Sequence, residues 1–248
     1  MKSLLKIVLL GFSLCLIWQS AVYFLALPHY LLPSPMDVGN KVTERSDLLW
    51  LHAKVTCLEI LLGLLLGLIL GLISALLLAL SKWLRSLLLP LLVISQAIPV
   101  FAIAPLLVVW FGYGMASKIA MTILIIYFPV TAACYDGLRN TPKAWLELAQ
   151  TMQISPWSML FKVRLPAALP SLASGLRIAV SIAPIGAVVG EWVGSSQGLG
   201  YLMLHANARM QVDLMFAALL VLLVVTLCLY FIVDKLLNLW LPWASHLR

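Results

Sequence analysis

Apolar residues run for about twenty positions or more at a stretch, six times along the chain, with short polar interruptions between. The runs fall at roughly 4–27, 54–80, 87–111, 118–138, 168–192 and 213–241. A helix needs about 20 mostly apolar residues to cross hydrocarbon, whereas a membrane β-strand alternates over about ten. The pattern predicts an all-α integral membrane protein with six transmembrane helices. The first run is too long for the apolar core of a secretory signal and ends without a small-residue cleavage site. It is expected to remain as a span. Residues 1–53 are then the first helix and its outer connection, 54–241 the transmembrane core, and 141–166 a polar loop within that core.

Small residues recur within the runs. Gly63, Gly67, Gly71, Ala75 and Ala79 are spaced by four, and so are Gly186, Gly190 and Gly194. Such stripes let helices approach closely, so Gly63, Gly67, Gly71, Gly186 and Gly190 are packing candidates. Pro99, Pro105, Pro129 and Pro184 each remove a backbone hydrogen bond, and breaks in the third, fourth and fifth spans are expected. Irregular backbone at membrane depth is tolerated where it is buried in protein or lines a watery cavity, as transporters require. Polar groups in the spans mark pathways or structural pairs. Glu59, Gln96, Glu191 and Trp192 are the pathway candidates, while Arg177 is expected to reach towards the cytoplasm.

Composition agrees with the pattern: 63% of residues are hydrophobic and 10% charged, against about 25% charged in soluble domains. The net charge of +7 is mainly a topology signal. With the N-terminus in the cytoplasm, Lys2, Lys6, Lys82, Arg85, Arg139, Lys143, Lys162, Arg164, Lys235 and Arg248 lie inside. Lys41, Arg45, Lys54, Lys118 and Arg209 lie outside. The excess predicts both termini in the cytoplasm. No clustered basic face with interleaved aromatics suggests nucleic acid.

Other chemistry is sparse. Cys15, Cys57, Cys134 and Cys228 sit singly in apolar stretches, and the four histidines show no metal-ligand spacing. There is no GxxxxGK[ST], so no P-loop for a nucleotide. "GSSQG" at 194–198 fits a nucleophile elbow at Ser196 but lacks a suitably placed histidine, since His246 falls on the other side of the membrane. An intramembrane protease would want serine and histidine facing each other within spans. A secondary carrier would show internal repeats and midplane charges. Neither pattern is present.

One semi-polar stretch, "ELAQTMQISPWSMLFKVRLP" at 147–166, interrupts the oily chain on the inner side. As a helix it places Leu146, Ala149, Met152 and Gln153 on one face. Nearly neutral, it lacks the Lys and Arg of a helix resting on lipid headgroups, which favours docking to a protein. The sequence resembles the membrane subunit, or permease, of binding-protein-dependent ATP-binding-cassette importers. Their hallmark is E-A-A, three residues, Gly, nine residues, then I-x-L-P. Here Glu147, Leu148 and Ala149 are followed at the same spacings by Gln153 and by Val163-Arg164-Leu165-Pro166. Gln153 replaces the usual glycine.

"LLPSP" at 31–35, "IPVFAIAPLLVVWFGYG" at 98–114, "DGLRNTP" at 136–142, "SGLRIAV" at 174–180 and "GLGYLM" at 198–203 extend the resemblance. They resemble the branch for alkanesulfonates, taurine, nitrate and thiamine-precursor pyrimidines. "TCLEILLG" at 56–63 and "GEWVGSSQGLGYLM" at 190–203 lean towards the pyrimidine members.

The resemblance implies a type I importer core in the bacterial inner membrane and a transport subunit that is not itself an enzyme. It implies a second permease copy, two copies of an ATPase subunit carrying ATP and Mg, and a periplasmic substrate-binding protein. It also implies that the 147–166 loop is a coupling helix in a cleft of the ATPase. There Glu147 would meet donors or a cation, Ala149 would permit close approach, and Leu165-Pro166 would end the segment and aim the fifth span.

Overall fold

A computed structural model shows an all-helical chain and describes residues 2–243, with side chains from Leu9 onward except Leu10. His246, Arg248 and the side chains of Lys2 and Lys6 lie outside the described residues. Helix α1 is Lys2–Phe24. After a proline-containing turn, α2 (Pro35–Glu44) starts on a capping box in which Ser34 and Asp37 exchange hydrogen bonds. The Ser34 hydroxyl holds the Asp37 carboxyl below the usual carboxylate range. The remaining long elements are α3 (Ser46–Leu80), α4 (Lys82–Ala97), α5 (Val100–Phe111) and α6 (Met115–Arg139). They are followed by α7 (Lys143–Thr151), α8 (Pro156–Met159), α9 (Leu165–Gly194), α10 (Leu199–Ala208) and α11 (Val212–Trp240).

Four of these helical segments are long and apolar enough to cross a membrane: α3, α6, the run Pro156–Gly194 and α11. The expected third span is not one straight helix. It is the pair α4 and α5, bent by 105°. Pro99 explains the bend, because a proline drives the residue before it out of the helical region. Ile98 is accordingly extended, with φ −82° and ψ 123°. The other prolines do not break their helices. Pro105, Pro129 and Pro184 sit inside continuous α5, α6 and α9, where neighbouring helices hold the backbone in line.

The centre of the molecule is α6, clasped between two glycine stripes. A Cβ on Gly67 would lie 2.5 Å from Ile126 Cδ1, and one on Gly71 2.7 Å from Val130 Cγ1. From the other side, a Cβ on Gly186 would lie 2.6 Å from Thr122 Cα, and one on Gly190 3.0 Å from Lys118 Cα. A Cβ on Gly63 would overlap the Thr122 side chain. All five glycines predicted to mediate packing therefore face α6. Ile60, Leu64, Ile126, Val130, Val180 and Ala183 fill the adjoining core.

The semi-polar stretch differs from expectation at its C-terminal end. Leu165-Pro166 does not terminate it. Helix α8 passes through a π-helical turn, Leu160–Arg164, directly into α9, giving 39 uninterrupted residues. The wide turn falls where Pro166 cannot donate a hydrogen bond one turn back.

Candidate functional site: a coupling turn and a polar clamp

The first site is the turn after α7. Gln153 has φ +54°, in the left-handed region that favours glycine. Its N–H donates to Gln150 O at 2.9 Å, and Ile154 N–H donates to Ala149 O at 3.3 Å. These two bonds are the paired closures of a Schellman motif, with Gln153 in the position glycine normally takes. The bend that the substitution called into question is therefore made by glutamine. Ser155 then caps α8, accepting from Ser158 N–H at 3.2 Å.

This geometry has a cost that can be tested. A side chain in the left-handed region costs about 1–2 kcal/mol relative to glycine. Gln153→Gly is expected to relieve this strain and, even after the larger entropy glycine gives the unfolded chain, stabilise the protein by up to about 1 kcal/mol. A raised unfolding midpoint in detergent checks it; a lowered one counts against the motif.

The exposed face of α7 is not the predicted one. Ala149 is buried and Leu146 half-buried, whereas Trp145, Leu148 and Met152 stand out in a row. Further along the chain, Trp157 and Phe161 are also exposed and stack on each other with centroids 6.1 Å apart. An apolar groove of about 730 Å³ runs along this surface, bordered by Trp145, Leu148, Ile154, Val163, Pro166 and, from the end of the chain, Trp243. Glu147 is exposed on the same helix. Large exposed aromatics around a groove are the residues that anchor protein interfaces. Sequence reading picked out Glu147, Leu148, Ala149, Gln153, Val163, Leu165 and Pro166 but missed Trp145, Trp157 and Phe161, which the three-to-four-residue rhythm could have flagged.

The second site lies at the opposite end of the helices. Glu191 is 1% exposed, and its carboxylate accepts from Thr56 Oγ1 at 2.6 Å and from the N–H groups of Gly200 and Tyr201. Thr56 Oγ1 also accepts from Leu199 N–H at 2.8 Å, and His52 Nδ1 accepts from Gly198 N–H at 2.9 Å. Together these groups satisfy the open N–H groups at the start of α10. Glu59 is fully buried and ion-paired with Lys118, itself 4% exposed. Lys118 Nζ also donates to Ser195 Oγ at 3.0 Å.

The two carboxylates expected along a pathway are thus enclosed. They clamp α3, α6, α9 and the α9–α10 connection together. Lys118, assigned from sequence to an outer connection, is a buried partner within this clamp. Ser196 sits exposed in the connection between two helices, not on a strand-to-helix elbow. Arg177 does not run free to the cytoplasm; it pairs with Asp234 on α11 at 2.6 Å and donates to Asn238 at 3.0 Å. Of the remaining pathway candidates, Gln96 is exposed just before the bend, and Trp192 is 43% exposed.

Residues 67–240 match the family described as "Binding-protein-dependent transport system inner membrane component". The chain belongs to this family. It is a permease subunit of ABC transporters, a family without its own ATPase site, embedded in the bacterial inner membrane and implying an ATPase and a substrate-binding protein as partners. A probable ABC transporter permease of Haemophilus influenzae is 68% identical over 95% of this permease and 96% of its own length. The formylaminopyrimidine transport permease ThiX of Halalkalibacterium halodurans is 38% identical over 94% and 93%. Further relatives, at 28–40% identity, are named for riboflavin, aliphatic sulfonates and taurine. Among solved structures, the inward-facing MetNI methionine ABC transporter matches with a TM-score of 0.68 and 20% identity. That match covers 79% of this permease and 97% of that chain. The shared fold is that of type I importer permeases.

Proposed function

We propose that this permease forms the membrane pathway of an ATP-driven importer for a thiamine-precursor pyrimidine. It works as a homodimer, on two copies of a separate ATPase subunit that hold ATP and Mg, and below a periplasmic binding protein. Its six spans are α1, α3, the bent pair α4 and α5, α6, α9 and α11, with both termini in the cytoplasm. The α7 end then faces the cytoplasm and the α10 end the periplasm.

The observation that carries this reading is the intact turn at Gln153. It presents Trp145, Leu148 and Met152, with the Trp157–Phe161 stack further along the chain, as apolar surface suited to a cleft in another protein. Docking can drive the pathway only if it favours one state of the partner over another. Closure of the ATPase dimer on ATP would draw two such turns together and tilt the helices rooted in them.

For the solute, identities of 38% to a formylaminopyrimidine permease and 40% to a riboflavin permease support a flat heteroaromatic compound, of which a pyrimidine is the smaller case. So does the charge arrangement: Lys118 and Arg177 are already matched by Glu59 and Asp234. That leaves little to hold a sulfonate or nitrate, which would want free Arg or helix N-termini.

Glu147→Arg is expected to reverse the charge on the exposed surface of α7 and release the ATPase. Co-purification from membranes measures it. Undiminished ATPase recovery from that variant would remove the assignment of the loop.

A further inference from the structure

The helices of this permease present two different kinds of outward surface. On α3, past Trp50 near its start, the exposed large side chains are leucine and isoleucine, among them Leu61, Leu65, Ile69 and Ile73. On α11 they are Leu219, Leu223, Val224 and Leu227, continuing to Phe231. Such faces suit lipid tails. Helix α9 is different. It is the helix most enclosed by its neighbours, with a continuous buried run from Gly186 to Glu191. Beyond Pro166 in its first turn, its exposed positions lie on one side at helical spacing: Ser174, Ile178, Ser181 and Ile185, then, past the buried run, Trp192.

Two of these positions are serines; Ser181 donates its hydroxyl to Arg177 O at 2.9 Å, so what it offers outward is an acceptor lone pair. The row ends at an aromatic pair: Trp192 meets Phe101, from the first turn of α5 just past the bend, with centroids 6.2 Å apart and planes at 34°. Both rings remain partly open, 56% for Phe101 and 43% for Trp192. Trp192 is held in place by its Nε1–H, which donates to Gly200 O at 3.0 Å, and Gly200 is itself fixed by Glu191. The buried clamp therefore positions an aromatic ring at the end of a mixed polar and apolar stripe. The aromatic pair gives a flat ring a face to stack on, and the serines, about 16 and 27 Å further along the helix, give its polar edges acceptors on the way through.

We propose that the α9 row of Ser174, Ile178, Ser181, Ile185 and Trp192 is the wall of the solute path. Phe101 and Trp192 are its selectivity element, and they take an uncharged planar heteroaromatic ring. This deepens the importer reading and rests on it. Neither Phe101 nor the serines were identified from sequence, because nothing local separates a path-facing serine from a packed one.

The test is uptake by the full complex in proteoliposomes, with binding protein outside and ATP inside. The solutes are a radiolabelled aminohydroxymethylpyrimidine, taurine and nitrate. Phe101→Ala is expected to lower pyrimidine uptake about tenfold, the size of one lost ring stack. Val109→Ala, on the open side of the same helix, should leave it unaltered. Trp192→Phe keeps a ring but loses the bond to Gly200, and should retain most uptake, whereas Trp192→Ala should not.

Equal pyrimidine uptake by Phe101→Ala and Val109→Ala would overturn the proposal. So would Trp192→Phe failing as badly as Trp192→Ala, since the ring would then matter only as a structural prop. ATP-dependent uptake of taurine or nitrate but not pyrimidine would also overturn it, while leaving the importer reading intact. Uptake of none of the three by a complex that still co-purifies with its ATPase would end the solute assignment along with it. Loss of the ATPase itself is the separate result that defeats the importer reading.

Discussion

Lys118→Met is expected to destabilise the permease by about 3–5 kcal/mol, the cost of leaving one member of a buried ion pair without its partner. The pair joins α3 to α6 at a point where Glu59 is fully buried. Removing the ammonium strands that carboxylate, and also frees Ser195 from the connection between α9 and α10. The effect should appear as a drop in the unfolding midpoint of the detergent-solubilised protein. Because the cost comes from the stranded charge, adding Glu59→Met to Lys118→Met should recover most of the loss. Equal midpoints for the single variant and the unaltered protein would show that the pair carries no weight.

The second large effect is expected at Gly186. A valine there would push Cβ to within 2.6 Å of the Thr122 Cα, and backbone cannot yield as a side-chain tip can. Overpacking of this kind costs about 3 kcal/mol, towards the upper end of what cores show. Gly67→Ala makes the useful comparison, since its Cβ would meet the far end of the Ile126 side chain, which can turn aside. Gly186→Val should therefore reduce the yield of folded protein in membranes far more than Gly67→Ala. Similar yields would mean that α6 and α9 separate easily, contrary to the packing described.

These sites differ in how far sequence could reveal them. The glycine stripes were legible because helical spacing puts every fourth residue on one face, and close approach admits little else. Proline was less informative. Pro99 bends its span by 105° while Pro105, six residues later, sits inside α5. The difference lies in what neighbouring helices supply, which no local pattern contains. Gln153 shows the converse. The residue argued against a sharp turn, yet the closing hydrogen bonds from Ile154 and Gln153 hold it in the left-handed region regardless.

Glu59, Lys118, Arg177 and Glu191 were picked out but given other surroundings, and Asp234 was missed. Glu59 and Lys118 are 59 positions apart in sequence, and Arg177 and Asp234 are 57. Their pairing depends on which helices lie side by side. A carboxylate alone in an apolar run looks the same whether it lines a channel or caps a helix. Glu191 proves to do the latter, through Thr56 and the N–H groups of Gly200 and Tyr201.

The unbroken helical run from Pro156 to Gly194 has a mechanical corollary. At 1.5 Å per residue, its 39 residues make a rod roughly 58 Å long. One end is rooted beside the Gln153 bend and the other reaches the ring of Trp192. If the Gln153 turn is the coupling point proposed above, a swing of a few degrees there becomes a displacement of several ångström at the far mouth. The lever's softest points are the wide turn at Leu160–Arg164 and the prolines that follow it, and these set how much of the swing arrives.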